Sequence, residues 1–289
     1  MKYSCSHIIA MGIFCGIIFS PLLSFVQNKT LSNADIFTDM FSAIQNVKTL
    51  RTNVSTDERI IDHVNHTHFA VKLNVSPYEA YSKDLDKGVE ILYLEGKNSG
   101  EAIVNPNGFP YVNIHLDPIG KTMRKEQHQT IKRLGFKYIS DVVYHFIAKY
   151  PDAYAHYIKR NADTVWDGNS CYKMEIDFYA YANTTYIVKD AGETVAKLAA
   201  KYYLSEYQIL VLNDISWYDD ELSAGQKILL PNAYAKTTIL FIRKDNFLPV
   251  VIRIFDDKGF FEQYTYSHLQ LNSSILSSEF TENYPGYHF

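Results

Sequence analysis

The spacing of apolar residues changes character along the chain. Between Asp35 and Leu50, the residues Ile36, Phe37, Met40, Phe41, Ile44 and Val47 recur at helical intervals and predict an amphipathic helix. From His66 to Val75 the period becomes two. Phe69, Val71, Leu73 and Val75 share one face and His66, His68, Ala70 and Lys72 the other, as in a half-buried strand. Further strands are expected over 89–95, 101–104 and 111–116, separated by the turn sequences Lys87-Gly88, Gly96-Lys-Asn98 and Asn105-Pro-Asn-Gly108 of a hairpin meander. Ser140 and Asp141 are expected to cap a helix striped by Val142, Val143, Phe146, Ile147 and Tyr150, which Pro151 ends or kinks. Alternation resumes over 171–181, with Tyr172, Met174, Ile176 and Phe178 opposite Cys171, Lys173, Glu175 and Asp177. It returns over 237–243, 249–255 and 260–271, the last two joined by the hairpin turn Asp256-Asp-Lys-Gly259.

Residues 184–235 interrupt this strand pattern with helical spacing. Tyr186-Ile-Val188 reads as a strand, and Thr194 or Glu193 opens a helix carrying Val195, Leu198 and Ala199 inward. Ser205 caps a second helix that ends near Asn213, and Gly225-Gln-Lys-Ile-Leu-Leu-Pro231 returns as a strand. A strand-helix-helix-strand unit between two stretches of pure strand pattern is how a small domain inserted into a larger one would look. The expected boundaries are 35–183 and 236–289 for the host and 184–235 for the insert. The fold class expected is α+β, with an antiparallel sheet and covering helices. At the other end, Lys2 followed by a nearly unbroken apolar run from Ile8 to Val26 makes residues 1–27 a secretory signal peptide, long enough also to serve as an anchor.

Composition narrows the functional classes. The net charge of −4 argues against nucleic acid as a main partner. Of the three cysteines, only Cys171 remains once the signal is removed, so no intrachain disulfide is expected and stability rests on core burial. Cys171 sits in a strand rather than at a helix start, which disfavours a nucleophile. His63-x-x-His66-x-His68 lacks a His-x-x-x-Asp partner and fits a solvated strand face. His128, in Arg124-Lys-Glu-Gln-His128, reads as a surface residue, and nothing singles out a catalytic pair among the 32 acidic residues. No catalytic residue, metal ligand or cofactor is therefore expected.

The insert resembles the LysM family of glycan-binding modules. The matching marks are Tyr186/Val188, Gly192-Glu-Thr194, Leu198-Ala-Ala200, Leu210 with Asn213, and Leu222 followed by Gly225-Gln226 and Pro231. One extra residue between Val188 and Gly192, and the acidic run Asp219-Asp-Glu221, depart from the family pattern. The resemblance implies binding of N-acetylglucosamine-containing chains such as peptidoglycan or chitin. The implied groove has Ala191, Gly192, Glu193 and Thr194 on one wall and Asn213, Asp214, Ile215 and Ser216 on the other.

The host is similar to the lipoprotein-carrier-like (LolA-like) fold, in an uncharacterised group of secreted bacterial proteins. Val71-Lys-Leu-Asn-Val-Ser-Pro77, Lys87-Gly-Val-Glu-Ile-Leu-Tyr-Leu-Glu-Gly96, Asn105-Pro-Asn-Gly-Phe-Pro110 and the ending from Asp256-Asp-Lys-Gly259 through Glu279-Phe-Thr281 carry that likeness. It implies a curved sheet, an incomplete barrel, whose concave face could hold an acyl chain or lipoprotein. Phe69, Val71, Leu73, Tyr172, Met174, Ile176 and Val251 would line that face, with Val142, Val143, Phe146 and Ile147 as the lid. The function expected is that of a non-enzymatic binding protein, exported across the inner membrane to the periplasm or cell envelope. The alternative is a cell-wall turnover hydrolase, which buried, convergent carboxylates or histidines on the concave face would favour, as an apolar lining would favour the binding protein.

Overall fold

The structure, a computed structural model, describes residues 1, 30–216 and 221–289. The expected signal peptide at 1–27 lies outside the described residues apart from Met1, as do Asp219 and Asp220 of the acidic run. Among the described residues no helix is long and apolar enough to cross a membrane. Helix α1 (Asn33–Gln45) opens on a capping box, in which Ser32 accepts from the Asp35 amide and the Asp35 carboxylate accepts from the Ser32 amide. It ends earlier than its apolar spacing suggests, because Leu50 belongs to a strand.

Six strands follow: β1 (Thr49–Ile60), β2 (His63–Asn74), β3 (Glu79–Asp84), β4 (Glu90–Leu94), β5 (Ala102–Asn105) and β6 (Ile114–Leu116). A short helix, α2 (Lys121–Arg124), leads to α3 (Lys137–Lys149) and the single turn α4 (Ala153–His156). Then come β7 (Ile158–Arg160), β8 (Thr164–Trp166) and β9 (Asn169–Asp177). The next four elements are β10 (Asn183–Ile187), α5 (Val195–Tyr202), α6 (Glu206–Leu212) and β11 (Lys227–Pro231). Strands β12 (Thr237–Arg243), β13 (Pro249–Asp256) and β14 (Gly259–Leu271) follow, and a 3-10 turn at Ser277–Phe280 comes after them. Helix α3 starts upstream of Ser140 and Asp141, which lie inside it rather than capping it. Gly135, at φ +86°, turns the chain into the helix, and Asp141 instead accepts from Lys137 one turn earlier.

Twelve strands make one antiparallel sheet in the order β6-β5-β4-β3-β2-β1-β14-β13-β12-β9-β7, with β8 also paired to β9. The sheet is open, with β6 and β7 at its ends, and is not closed into a barrel. Register places Leu50, Val54, Phe69, Val71 and Leu73 on the same face as Ile252, Leu240, Met174 and Ile176. Helices cover this face: Ile36, Phe37 and Met40 of α1 and Val142, Val143 and Phe146 of α3 are all buried. Burying each such side chain stabilises the fold by roughly 1.5–3 kcal/mol. Val251 is a correction. It pairs with Thr265 and Phe241, whose side chains point away from that face.

On the opposite face the C-terminal segment packs over β2–β5. Phe280 joins Tyr81, Leu92 and Ile103 in an apolar cluster, and Tyr287 stacks on Tyr81 with ring centroids 3.9 Å apart. Glu279 fastens the segment, accepting from Arg51 at 2.6 Å and from Lys72 at 2.9 Å.

Candidate functional site

The insert leaves and rejoins the sheet between neighbouring strands, since Asp177 of β9 pairs with Thr237 of β12. Strands β10 and β11 pair with each other alone, and α5 and α6 pack against them around Val188, Leu198, Ile209, Leu222, Ile228 and Leu230. Thr194 caps α5 by accepting from the Lys197 amide, and Ser205 caps α6 by accepting from the Gln208 amide. Both caps satisfy helix N–H groups that would otherwise lack partners.

The eight groove residues divide by role. Ala191, Gly192, Asp214 and Ser216 are exposed, while Glu193, Thr194, Asn213 and Ile215 are partly buried. The Glu193 carboxylate folds back to accept from the Tyr186 hydroxyl at 3.2 Å and the Lys189 amide at 3.2 Å, which shapes the first turn. Gly192 has φ +84° and open space where a Cβ would stand, and its carbonyl accepts from Lys197. Asn213 acts as a clip: its amide donates to the carbonyls of Ile209 and Leu229 and its oxygen accepts from the Leu229 amide at 2.7 Å. Ile215 packs on the module core. The loop opened by Asp214 returns to the first wall, where Leu222 donates to the Glu193 carbonyl and Glu221 bridges Thr194. The exposed members are thus held by partly buried neighbours whose polar groups brace the loops.

The module is built into the host. Tyr207 of α6 accepts from the Ile61 amide at 2.7 Å, Glu206 pairs with Arg124, and the Tyr138 hydroxyl donates to the Leu204 carbonyl. The Tyr207 and Phe261 rings each stack against the His128 imidazole with centroids 4.3 Å away. His128 is therefore a core residue, 4% exposed, and not a surface one. Its Nδ1 lies 2.8 Å from Glu262 Oε2 and its Nε2 lies 3.1 Å from the Arg59 carbonyl, while its amide donates to Glu58. Tyr264 bridges the two carboxylates, 2.7 Å from Glu58 and 3.0 Å from Glu262, and Tyr234 donates to Glu262.

Burial pushes the Glu58 carboxyl up, against the pull of the nearby imidazole. Burial pulls His128 down, but the carboxylate of Glu262 on its ring outweighs this and raises it. Buried carboxylates and a histidine do converge on the helix-covered face. They are bound to one another and shut from solvent, however, so this geometry gives a glycan no access. The exposed His66 and His68 pair with Asp57 and Asp86, and Cys171 is buried in β9, where desolvation pushes its thiol up.

A second feature lies where α3 meets the return from the module. A shallow, open cleft with an inner volume of only about 30 Å³ runs between Val142, Val143 and Phe146 of α3, Ile176 of β9 and the segment Asn232–Ala235. Val142, Val143 and Phe146 of the expected lid, though not Ile147, and Ile176 of the expected sheet residues line it. Lys149 at its edge donates to the Asn232 carbonyl at 2.7 Å, and His145 stacks on Tyr203 at 4.6 Å. Desolvation holds both groups below their ordinary values. The remaining lining is carried by Tyr150, Tyr202 and Tyr234, which sequence periodicity did not assign to a site.

The family described as a protein of unknown function, DUF1571, matches residues 47–192, and the LysM domain matches residues 186–231. No curated protein matches the chain. Among solved structures, MucB is similar at 8% identity and a TM-score of 0.42, over 86% of this chain and 62% of that one, so this chain spans less than two thirds of MucB. The Mycobacterium tuberculosis lipoprotein LppX is similar at 12% identity and a TM-score of 0.42, over 85% of this chain and 99% of that one. A LolA superfamily protein from Nitrosomonas europaea is similar at 10% identity and a TM-score of 0.31, over 88% and 100% of the two chains. At this level the likeness concerns the path of the chain alone.

Proposed function

This chain belongs to the DUF1571 family of proteins of unknown function, and from its LysM domain we propose that it is an exported cell-envelope protein that binds N-acetylglucosamine-containing glycan. The observation that carries the reading is the LysM match over 186–231, a segment that here makes a βααβ unit with two braced loops. We place the module at 184–235 within a host of 35–183 and 236–289. Ala191, Gly192, Asp214 and Ser216 present the groove, and Glu193, Thr194, Asn213 and Ile215 hold it in shape. Backbone donors and carbonyls in such loops suit N-acetyl groups, whose methyls take the apolar floor.

The purified full chain is expected to co-sediment with insoluble peptidoglycan. Gly192→Val is expected to weaken this about tenfold or more, because a β-branched residue is strained at φ +84° and its side chain would stand on the groove wall. Equal sedimentation of the variant would remove Gly192 from the site. Absence of sedimentation by the parent chain would overturn the reading itself.

We propose as a second activity of the same protein the holding of an acyl chain at the cleft beside α3, which has to widen to admit one. A chain packed on Val142, Val143, Phe146 and Ile176 gains about 0.8 kcal/mol for each methylene removed from water, and Lys149 at the edge offers a cation to a carboxylate or phosphate head. A fluorescent fatty acid is expected to bind the full chain saturably, and Ala235→Trp, which fills the cleft, to abolish this. Saturable binding unchanged by Ala235→Trp would place the chain elsewhere, and no saturable binding would remove the activity.

A further inference from the structure

We propose that Glu58, His128 and Glu262 form a binding site for one divalent transition-metal ion of the zinc class. One donor atom from each residue lies within 4.8 Å of the other two, and all three side chains are buried. Zinc takes nitrogen and oxygen ligands at about 2.0–2.2 Å, so donors at these separations surround an ion after small shifts of side chains already aimed at one another.

The hydrogen bonds around the site favour this assignment, because they fix His128 and Glu262 from behind. His128 Nε2 faces the Arg59 carbonyl at 3.1 Å, which makes it the protonated nitrogen and leaves Nδ1 to face the carboxylates. A ligating imidazole is held this way when its far nitrogen donates to a carbonyl. The Tyr234 hydroxyl donates to Glu262 Oε1 at 2.7 Å, which holds Oε2 towards His128 Nδ1 and the Tyr264 hydroxyl, the side on which the ion would sit. The Tyr264 hydroxyl lies 2.7 Å from Glu58 and 3.0 Å from Glu262, close enough to the ligands to supply a fourth oxygen. The stacked rings of Tyr207 and Phe261 fix the plane of the imidazole.

Charge points the same way. Two carboxylates and an imidazole offer the charge that balances a dication. One nitrogen and two carboxylate oxygens suit zinc better than calcium or magnesium, which prefer oxygen alone. Burial on every side makes the site a structural one. It would tie β1, β14 and the connection after α2 together beneath α6.

The test uses the full chain, unfolded in chelator and refolded with zinc(II) or cobalt(II). One equivalent retained per chain, a raised Tm and a visible cobalt absorption band are expected. Glu262→Gln and Glu58→Gln should each lower affinity about 100-fold, and Tyr234→Phe about 10-fold. His66→Gln with His68→Gln, on the exposed strand face, should leave uptake unchanged. Wild-type chain that folds yet retains no ion overturns the proposal, whatever the variants do. So does uptake that survives Glu262→Gln and Glu58→Gln but disappears with the exposed histidines.

Discussion

Glu279→Gln is expected to lower folding stability at pH 7 by about 2 kcal/mol, and to remove an acid-sensitive part of it. Glu279 is 5% exposed and pairs with both Arg51 and Lys72. The Arg51 hydrogen bond, joined by Lys72 and opposed by burial, brings its pKa down from 4.5 to about 2. A carboxyl depressed in the folded state contributes stability that is complete above its unfolded value. That contribution fades as pH falls from about 5 towards 2. Urea denaturation of both proteins at pH 7, 5 and 3 checks this. The parent should lose its advantage over the variant as the pH drops, and equal midpoints at pH 7 would show that the ion triad does not fasten the C-terminal segment.

Features written within a few residues of one another were legible in the sequence. Thr194 and Ser205 cap helices because their hydroxyls reach an amide three residues on, and the hairpin at Asp256-Asp-Lys-Gly259 is set by its own turn residues. The placement of α3 was less local. Ser140 and Asp141 are good capping types, yet the helix begins where Gly135 turns the chain, and Ser140 is buried against its neighbours.

The buried triad was missed for a different reason. Glu58 and Glu262 face each other only through the register of β1 with β14, and His128 arrives from a connection with little regular structure. A signal did exist. Leu50, Thr52, Val54, Thr56, Glu58 and Ile60 alternate as the inward face of one strand, which places a carboxylate among core positions. The abundance of polar residues between Arg51 and Arg59 hid that period. The charged run before His128 suggested a surface, although Arg124 itself is buried against Glu206 of the module.

Excising residues 184–235 is expected to abolish peptidoglycan binding and to leave the host folded, but less stable by about 3 kcal/mol. Closure of the chain is easy. Asp177 pairs with Thr237, and the Phe178 amide donates to the Lys236 carbonyl at 2.8 Å, so residues 179–183 need only make a short loop back to Lys236. The cost comes from the junction. Without Tyr207, the His128 ring loses one stacked neighbour and the Ile61 amide loses its acceptor. Without Tyr234, Glu262 loses a donor, and Arg124 is left without Glu206. Buried groups stripped of their partners cost roughly 1–3 kcal/mol each, part of which water recovers once the junction is open. A shorter excision of 184–231 keeps Tyr234 and should restore about 1 kcal/mol. Denaturant titration of the two excised chains beside the parent distinguishes the cases. Undiminished stability would make the module a passive insert, and retained co-sedimentation would place the glycan site on the host. The expected pairing, lost binding with a weakened but cooperative host, would show that the loops of the module recognise the ligand while its second helix helps to close the host core.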